Sequence, residues 1–214
     1  MPQIKLVVFD MDGTIIEPRS SWAMIHEHFG TDNTEMLQLY IEHKISDKEF
    51  VKADIQLWNA KSDVPVNEAY INSILDKAKP REGAEELIHG LHEAKIKTII
   101  LSGGIQYLAN KWAKKWNMND ALANDLIDDE KGNLTAIINS SGHNKGPVME
   151  KMIQKYNYGK NEIAAIGDTV VDIPTFERAG LSVAVNTDDE RVISKANYHL
   201  KGNLTELKKL IINW

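Results

Sequence analysis

The distribution of apolar and polar residues along the chain predicts short buried strands that alternate with helices. The first apolar run, from Leu6 to Phe9, has no polar alternation, which is typical of a strand buried on both faces inside a parallel sheet. Similar strand patterns occur at 97–101, 163–166 and 181–185. Helical periodicity occurs between and after these strands, at 83–95, 106–116, 145–156, 173–179 and 203–212. This alternation favours an α/β fold.

A purely helical pattern interrupts this alternation after the first strand. Four helices are predicted between residues 17 and 80: one that starts at Ser20 or Ser21 and ends at Gly30, one at 34–43, one that starts at a capping box formed by Ser46 and Glu49, and one at 67–79. We therefore predict a helical-bundle cap domain at 17–80, inserted into an α/β core domain that comprises 1–16 and 81–214. The alternative is that these helices elaborate the fold without contacting a ligand.

The segment 120–141 is short and polar, with turn residues around Gly132, and predicts a β-hairpin. The tryptophans at 22, 58, 112 and 116 are interpreted as packing residues.

Composition narrows the function classes. The 214 residues carry a formal net charge of −6, which disfavours nucleic-acid and anionic-membrane partners. The absence of cysteine excludes disulfides, thiolate metal sites and cysteine nucleophiles. The first strand pattern begins by residue 4, which leaves no room for a signal peptide, and no apolar run approaches the length of a membrane span. We expect a soluble, cytoplasmic protein.

Two carboxylates follow the first predicted strand. Asp10 and Asp12 are two positions apart, so an extended chain would direct both side chains into one crevice beyond the strand end. Adjacent carboxylates repel each other, which predicts either a bound divalent metal or a shared proton. The alternative is that Asp10, Asp12 and Gly13 simply end the strand as turn residues do.

Three further polar segments lie where a strand is predicted to end or a helix to begin. Ser102-Gly103-Gly104 offers a hydroxyl and two unhindered amides that can hold an anion, although such a sequence is also ordinary in loops. Lys145 precedes a predicted helix, where a lysine is usually solvated but would neutralise carboxylate and phosphate charge if it pointed toward Asp10. Asp168 and Asp172 follow a third strand and could equally cap a helix. A parallel sheet would bring all of these segments to one edge.

These motifs resemble those of the haloacid dehalogenase-like (HAD) phosphohydrolases, and their order covers most of the chain. The matching segments are Asp10-Met11-Asp12-Gly13-Thr14, Ser102-Gly103-Gly104, Asn144-Lys145-Gly146, and Gly167-Asp168 with Asp172. The helical insertion is similar to the cap of the phosphoserine phosphatase branch. The resemblance implies a Rossmann-like parallel sheet and a phosphatase that acts on a small phosphorylated metabolite.

The resemblance also assigns roles to individual residues. Asp10 would be the nucleophile that forms an aspartyl-phosphate, and Asp12 the general acid and base. Mg²⁺ would be held by the Asp10 carboxylate, the Asp12 backbone carbonyl and Asp168.

Phosphoryl oxygens would be bound by Ser102, the Gly103 amide and Lys145. Asp172 would orient Lys145 or the water ligands of the metal.

The sequence departs from the phosphoserine branch at two places. Thr169 and Val171 replace a glycine and an asparagine in the fourth motif. The branch recognises its substrate with a glutamate nine residues after the nucleophile and with an arginine in the cap. In this sequence the residue nine positions after Asp10 is Arg19, and Glu17 lies two residues before it. Residues 20–80 contain no arginine. We hypothesise that Arg19 selects an anionic group on the leaving moiety, because a guanidinium pairs with carboxylate or phosphate as a fork. The alternative is a solvated arginine at a domain junction.

Two other functions are compatible with these residues. A phosphomutase would use the same aspartate chemistry but return the phosphoryl group to a sugar. A non-catalytic protein that binds a phosphorylated ligand would keep the fold, but would not require both a nucleophile and an acid.

Overall fold

The computed structural model describes residues 4–140 and 144–214. Within these two ranges the chain forms one seven-stranded sheet. Its strands are β1 (Leu6–Phe9), β2 (Lys97–Ile105), β3 (Asp120–Asp128), β4 (Leu134–Ile137), β5 (Ile163–Gly167), β6 (Leu181–Val185) and β7 (Tyr198–Leu200). Their order is β4-β3-β2-β1-β5-β6-β7, and the pairs are parallel except for the antiparallel pair β3–β4. The predicted α/β class with a mostly parallel sheet is confirmed.

The central strand β1 is buried on both faces, as its apolar run predicts. Leu6 and Val8 pack into one hydrophobic cluster, and Val7 and Phe9 pack into another. All of these side chains are at most 2% exposed. Because successive strand side chains point to opposite faces, an uninterrupted apolar run fits only a strand covered on both sides.

Helices cover the sheet and fill the long connection that follows β1. The described stretch between β1 and β2 contains α1 (Ser21–Phe29), α2 (Thr34–Ile41), α3 (Asp47–Lys61), α4 (Glu68–Leu75) and α5 (Ala84–Glu93). Later helices are α6 (Gln106–Lys115), α7 (Lys145–Ile153), α8 (Ile173–Phe176), α9 (Glu190–Ile193) and α10 (Leu207–Asn213). The Ser20 hydroxyl accepts from Ala23 N to cap α1, which ends at a left-handed Gly30.

The chain enters and leaves the α1–α4 segment at neighbouring points. Glu17 N donates to the Lys79 carbonyl (2.9 Å) and Arg81 N donates to the Ile15 carbonyl (2.9 Å), so the two passes run side by side. Buried residues of α1, α3 and α4, among them Trp58, belong to the same hydrophobic cluster as one face of the sheet. The boundaries at 16/17 and 80/81 coincide with this double crossing, and the division into core and cap domains stays a prediction.

Several predicted boundaries differ from the observed ones. The helix expected at 34–43 ends at Ile41, since His43 adopts a positive φ of 56°. The helices expected to reach 79 and 179 end at Leu75 and Phe176. The last residues of the helix expected at 145–156, from Gln154 to Tyr156, form a 3-10 turn.

The C-terminal half holds two elements that the sequence did not predict, α9 and β7. Both are too short to show a periodicity, and Tyr198 at the start of β7 is exposed. The predicted hairpin is β3–β4, but its first strand also pairs with β2, so the hairpin extends the main sheet. Ser141, its predicted last residue, lies outside the described residues.

The strand order reverses beside β1. The chain proceeds from β1 through β2 and β3 to β4 on one side, and then returns to place β5 on the other side of β1. Ligands of open α/β sheets bind at such a reversal, beyond the carboxyl ends of the strands. In the ranges 4–140 and 144–214, the helices are too short or too polar to cross a membrane.

Candidate active site

The carboxyl ends of β1 and β5 bring together acids from distant parts of the chain. Asp10 directly follows β1 and Asp168 directly follows β5, and the two strands pair in register, with Phe9 opposite Ile166. Asp172 lies one turn further along the chain. Carboxylate oxygens of Asp10, Asp168 and Asp172 all lie within 4.8 Å of one another.

The ammonium of Lys145 lies among these carboxylates. Its Nζ donates to Asp10 Oδ1 at 2.7 Å and to Asp172 Oδ1 at 2.5 Å. The side chain is 2% exposed, so the usual solvated state of a lysine does not apply here. Lys145 is the first residue of α7, and this helix start therefore faces Asp10. A buried ammonium between two carboxylates can neutralise charge on a third, incoming anion.

Donors from its own loop fix the second oxygen of Asp172. Asp172 Oδ2 accepts from the backbone amides of Asp168 (3.1 Å) and Thr169 (3.0 Å) and from the Thr169 hydroxyl (3.2 Å). Because both of its oxygens accept hydrogen bonds, Asp172 is well suited to hold Lys145 in place. The helix-capping interpretation was partly right, since the same contacts close the 3-10 turn after β5.

Asp168 is held from the opposite side, by the loop after β1. The Thr14 hydroxyl donates to Asp168 Oδ1 at 2.9 Å. Gly13 adopts a φ of 72°, and a Cβ there would lie 2.3 Å from Asp168 Oδ2. Glycine at position 13 thus permits both the turn and the close approach of the acid.

Burial and mutual repulsion raise the proton affinity of the acids. Burial, with the charges of Asp172 and Asp168, raises the pKa of Asp10 to about 8 even though Lys145 opposes the shift. Burial and the charge of Asp172 raise the pKa of Asp168 to about 7. Burial lowers the pKa of Lys145, but Asp10 and Asp172 outweigh it and raise that pKa above its ordinary value.

These properties fit a divalent cation. The carboxylates outnumber the ammonium, they are hard oxygen ligands, and burial and mutual repulsion raise the pKa values of Asp10 and Asp168, a cost that a bound cation would relieve. The carboxyl group of Asp12 does not belong to this cluster.

Asp12 instead contacts the start of α1. Asp12 Oδ2 accepts from the amide and from the hydroxyl of Ser21, both at 2.7 Å. Burial raises the pKa of Asp12, and the Ser21 hydrogen bonds oppose this shift. Asp12 Oδ1 is buried and has no hydrogen-bond partner among the described residues. One oxygen is therefore fixed, while the other remains available to a ligand.

The sequence predicts that the Ser-Gly-Gly segment follows a strand at 97–101, but in the structure the segment lies within β2. The strand continues to Ile105, but its register with β3 shifts between Leu101 and Ile105, so the segment is an irregular part of the strand. The buried Ser102 hydroxyl accepts from Gly104 N at 3.1 Å. A Cβ at Gly104 would lie 2.6 Å from Asp12 Oδ2, so glycine lets β2 approach the acid.

Both candidate specificity residues are exposed. Glu17 and Arg19 lie in the segment between β1 and α1. Asp188 follows β6, and a hydrogen bond and charge from Lys201 lower its pKa. The charge of Arg19 makes a smaller contribution to the same shift, so Arg19 lies on the β6 side of the site. Among the described residues, neither side chain forms a hydrogen bond with Asp10, Asp168 or Asp172.

The sequence did not indicate three residues that support the site. Ser21 binds Asp12, the Asn124 side chain donates to the Gly103 carbonyl at 2.8 Å, and Arg81 Nη2 donates to the Gly13 carbonyl at 2.7 Å. Each lies outside the four motifs. Their only sequence signal is a polar residue next to an element boundary or inside a strand.

Comparison with known proteins gives matches over most of the chain. The family model of haloacid dehalogenase-like hydrolases matches residues 4–180. A phosphoserine phosphatase of Methanocaldococcus jannaschii is 26% identical over 84% of this chain and 84% of its own length. A phosphoserine phosphatase of Archaeoglobus fulgidus is 28% identical over 86% of this chain, which spans only 53% of that relative.

Solved structures agree with these matches. A phospho-aspartyl intermediate analogue of phosphoserine phosphatase superposes with a TM-score of 0.80, at 25% identity, covering 98% of this chain and 99% of the other. A substrate-bound phosphoserine phosphatase complex gives a TM-score of 0.80 over 99% of this chain and 100% of the other, also at 25% identity.

Proposed function

This chain belongs to the haloacid dehalogenase-like hydrolase family, and on that premise we propose that it hydrolyses a small phosphomonoester through an aspartyl-phosphate on Asp10. The observation that carries the proposal is the buried cluster in which Lys145 lies between Asp10 and Asp172, with Asp168 beside them. A phosphatase needs such a cluster, because a carboxylate approaching a phosphate dianion is otherwise repelled.

In the first step, an Asp10 oxygen attacks phosphorus in line with the leaving oxygen. The new bond joins Asp10 to phosphorus, and the bond to the leaving alkoxide breaks. Lys145 already contacts Asp10 Oδ1 and offsets negative charge at the point where the phosphoryl group arrives.

Asp12 is the proposed general acid of the first step and general base of the second. Its buried Oδ1, which lacks a partner among the described residues, is the oxygen that would give a proton to the leaving alkoxide. In the second step the same oxygen would take a proton from the water that attacks the aspartyl-phosphate. Ser21 holds the other oxygen and keeps the carboxyl group oriented through both transfers.

The residues present fit a magnesium ion, which would be held by the Asp10 and Asp168 carboxylates and the Asp12 carbonyl. When bound, Mg²⁺ supplies positive charge that keeps Asp10 ionised and draws the phosphate toward it. Asp172 keeps its part as the anchor of Lys145.

Ser102, the Gly103 amide and Lys145 are the proposed ligands of the phosphoryl oxygens. The Ser102 oxygen accepts from Gly104 N, so its own proton is free to be donated toward a ligand. We further propose that residues 17–80 act as a cap over this site.

The substrate class is a small phosphomonoester whose leaving group carries an anionic substituent. O-phosphoserine belongs to this class, and relatives that are phosphoserine phosphatases make it the first candidate. Arg19 is the residue proposed to bind the anionic substituent.

The experiment is a screen for inorganic phosphate release from phosphomonoesters, O-phosphoserine among them, with Mg²⁺ or with chelator, using Asp10→Asn as the blank. Phosphate release that requires both Mg²⁺ and Asp10 supports the proposal. Release that persists in Asp10→Asn, or isomerisation of a sugar phosphate without net release, contradicts it.

A further inference from the structure

One carbonyl oxygen in the proposed phosphate-binding segment accepts two side-chain hydrogen bonds from different parts of the molecule. The Gly103 carbonyl accepts from Asn124 Nδ2 at 2.8 Å and from Trp22 Nε1 at 3.0 Å. Asn124 lies in β3, at the sheet, whereas Trp22 lies in α1. Neither contact belongs to the regular pairing of strands.

The segment around Gly103 needs such anchors. Consecutive glycines lose more backbone freedom on ordering than any other residues, and the strand register already shifts here. Among the described residues, a Cβ at Gly103 would meet only the Ser140 carbonyl oxygen, at 3.9 Å, so their side chains pack little against this residue. Hydrogen bonds to its carbonyl therefore determine how the peptide is oriented.

All the hydrogen-bonding capacity of the Asn124 side chain is used. Its Nδ2 donates to the carbonyls of Gly103 and Ser140 (2.7 Å), and its Oδ1 accepts from the amides of Asn139 (2.8 Å) and Ser140 (2.9 Å). The residue is 4% exposed. Asn124 thus ties the Ser-Gly-Gly segment to the stretch of chain that precedes Lys145, the other proposed phosphate ligand.

Trp22 adds a contact from the helices. Its neighbour Ser21 donates to Asp12, so the start of α1 contacts both the proposed general acid and the Gly103 carbonyl. The Trp22 ring stacks on that of Trp58, with centroids 6.3 Å apart. The tryptophan interpreted as a packing residue therefore also makes a polar contact at the site.

We propose that Asn124 and Trp22 are positioning residues that fix the Gly103 carbonyl. They thereby hold the Gly103 amide and the Ser102 hydroxyl in the orientation that binds the phosphoryl group. This inference rests on the proposed function for its ligand. The anchoring itself is a property of the protein without ligand.

Two substitutions test the two donors separately. Asn124→Asp keeps the size and the acceptor oxygen but removes both donors to Gly103 and Ser140. Trp22→Phe keeps an aromatic ring against Trp58 and removes only the indole N–H. Matched controls are Asn139→Ala, which removes side-chain bonds to Ala123 and Asp125 on the same strand, and Trp58→Phe, which removes an indole bond to His26.

The first measurement is calorimetric binding of inorganic phosphate and of vanadate to the Mg²⁺-loaded full chain. We expect the dissociation constant for phosphate to rise about tenfold in Asn124→Asp and about fivefold in Trp22→Phe, the effect of losing buried hydrogen bonds. Mg²⁺ affinity stays within twofold of wild type in Trp22→Phe, and both controls keep the wild-type phosphate affinity.

The second measurement is amide hydrogen exchange of the peptide that spans 102–104, made without ligand. Faster exchange in Asn124→Asp and Trp22→Phe, but not in the controls, supports the anchor. Unchanged exchange, or phosphate affinity that falls equally in the controls, overturns it. If wild type neither binds phosphate nor hydrolyses phosphomonoesters, the proposed function fails, while the exchange rates still decide whether Gly103 is anchored.

Discussion

Lys145 Nζ lies 2.7 Å from Asp10 Oδ1, although the two residues are 135 positions apart in the sequence. The contact joins the first residue of α7 to the end of the central strand, and both side chains are buried. An ammonium in such a position is stable only because carboxylates surround it, and the carboxylates depend on it equally. The pair therefore connects stability with the proposed chemistry.

Lys145→Met should lower both the stability of the protein and its catalytic activity. We expect kcat/KM for a phosphomonoester to fall about 10²- to 10³-fold, as for removal of a donor that stabilises developing charge. The metal-free variant should also lose about 3–5 kcal/mol in the free energy of unfolding, because Asp10 and Asp172 remain buried without their partner. Steady-state kinetics and chemical denaturation provide the two measurements.

Lys155→Met is the matched control. Lys155 pairs with Asp120 at the surface, where solvent screens the interaction, so kcat/KM should not change. Equal losses in the two variants would contradict the special position of Lys145.

Stability without metal should fall as the pH rises from about 4 to about 8. The pKa of Asp10 is about 8 and that of Asp168 about 7 in the folded chain, against an ordinary value of 3.8. Through this range the folded protein keeps protons that the unfolded chain has released, so rising pH favours unfolding. Saturating Mg²⁺ should flatten this trend, since a bound cation lowers both pKa values.

Thermal unfolding in chelator across this pH range, compared with Asp10→Asn, isolates the contribution of Asp10. As the pH rises, the Tm of wild type should fall relative to the Tm of Asp10→Asn. A difference that is independent of pH would contradict the raised pKa of Asp10.

Gly104→Ala should strongly lower the activity of the protein. Its Cβ would lie 2.6 Å from Asp12 Oδ2 and 2.7 Å from the Ser21 hydroxyl, so the acid must move from the position that Ser21 defines. We expect kcat to fall about 10²-fold, the lower range for loss of a general acid. Gly159→Ala is the control, because among the described residues its Cβ would meet only Glu162 Oε2, at 3.7 Å, and it should keep wild-type kcat.

Arg19→Ala tests how the leaving group is recognised. If Arg19 pairs with an anionic substituent, KM should rise about tenfold for phosphomonoesters that carry a carboxylate and stay constant for neutral ones. The exposed Arg191, which pairs with Asp189, gives the control variant Arg191→Ala. An unchanged ranking of substrates in Arg19→Ala would exclude the hypothesis.

Much of the sheet could be predicted because it depends on local patterns. The uninterrupted apolar run at Leu6–Phe9 fits only a buried central strand, and the capping box from Ser46 to Glu49 marks the start of α3 as expected. The short β7 could not be predicted, because three residues are too few to establish a period.

The residues of the candidate site also fall into those that the sequence could predict and those that it could not. Asp10, Lys145, Asp168 and Asp172 could be selected from the sequence because each follows a strand or begins a helix, and a parallel sheet gathers such positions at one edge. Ser21 and Asn124 could not, since their importance depends on which backbone atom lies opposite in the folded chain. Hydrogen bonds between segments distant in sequence leave no periodic signal.

The central claim is a covalent bond between Asp10 and phosphorus, and rapid-quench mass spectrometry tests it most directly. Wild type mixed with Mg²⁺ and a hydrolysed phosphomonoester, then quenched in acid and digested, should yield the peptide containing Asp10 with one added phosphoryl group, absent from Asp10→Asn. Phosphate release at a full catalytic rate, with no phosphoryl group on that peptide at any quench time, would contradict the account.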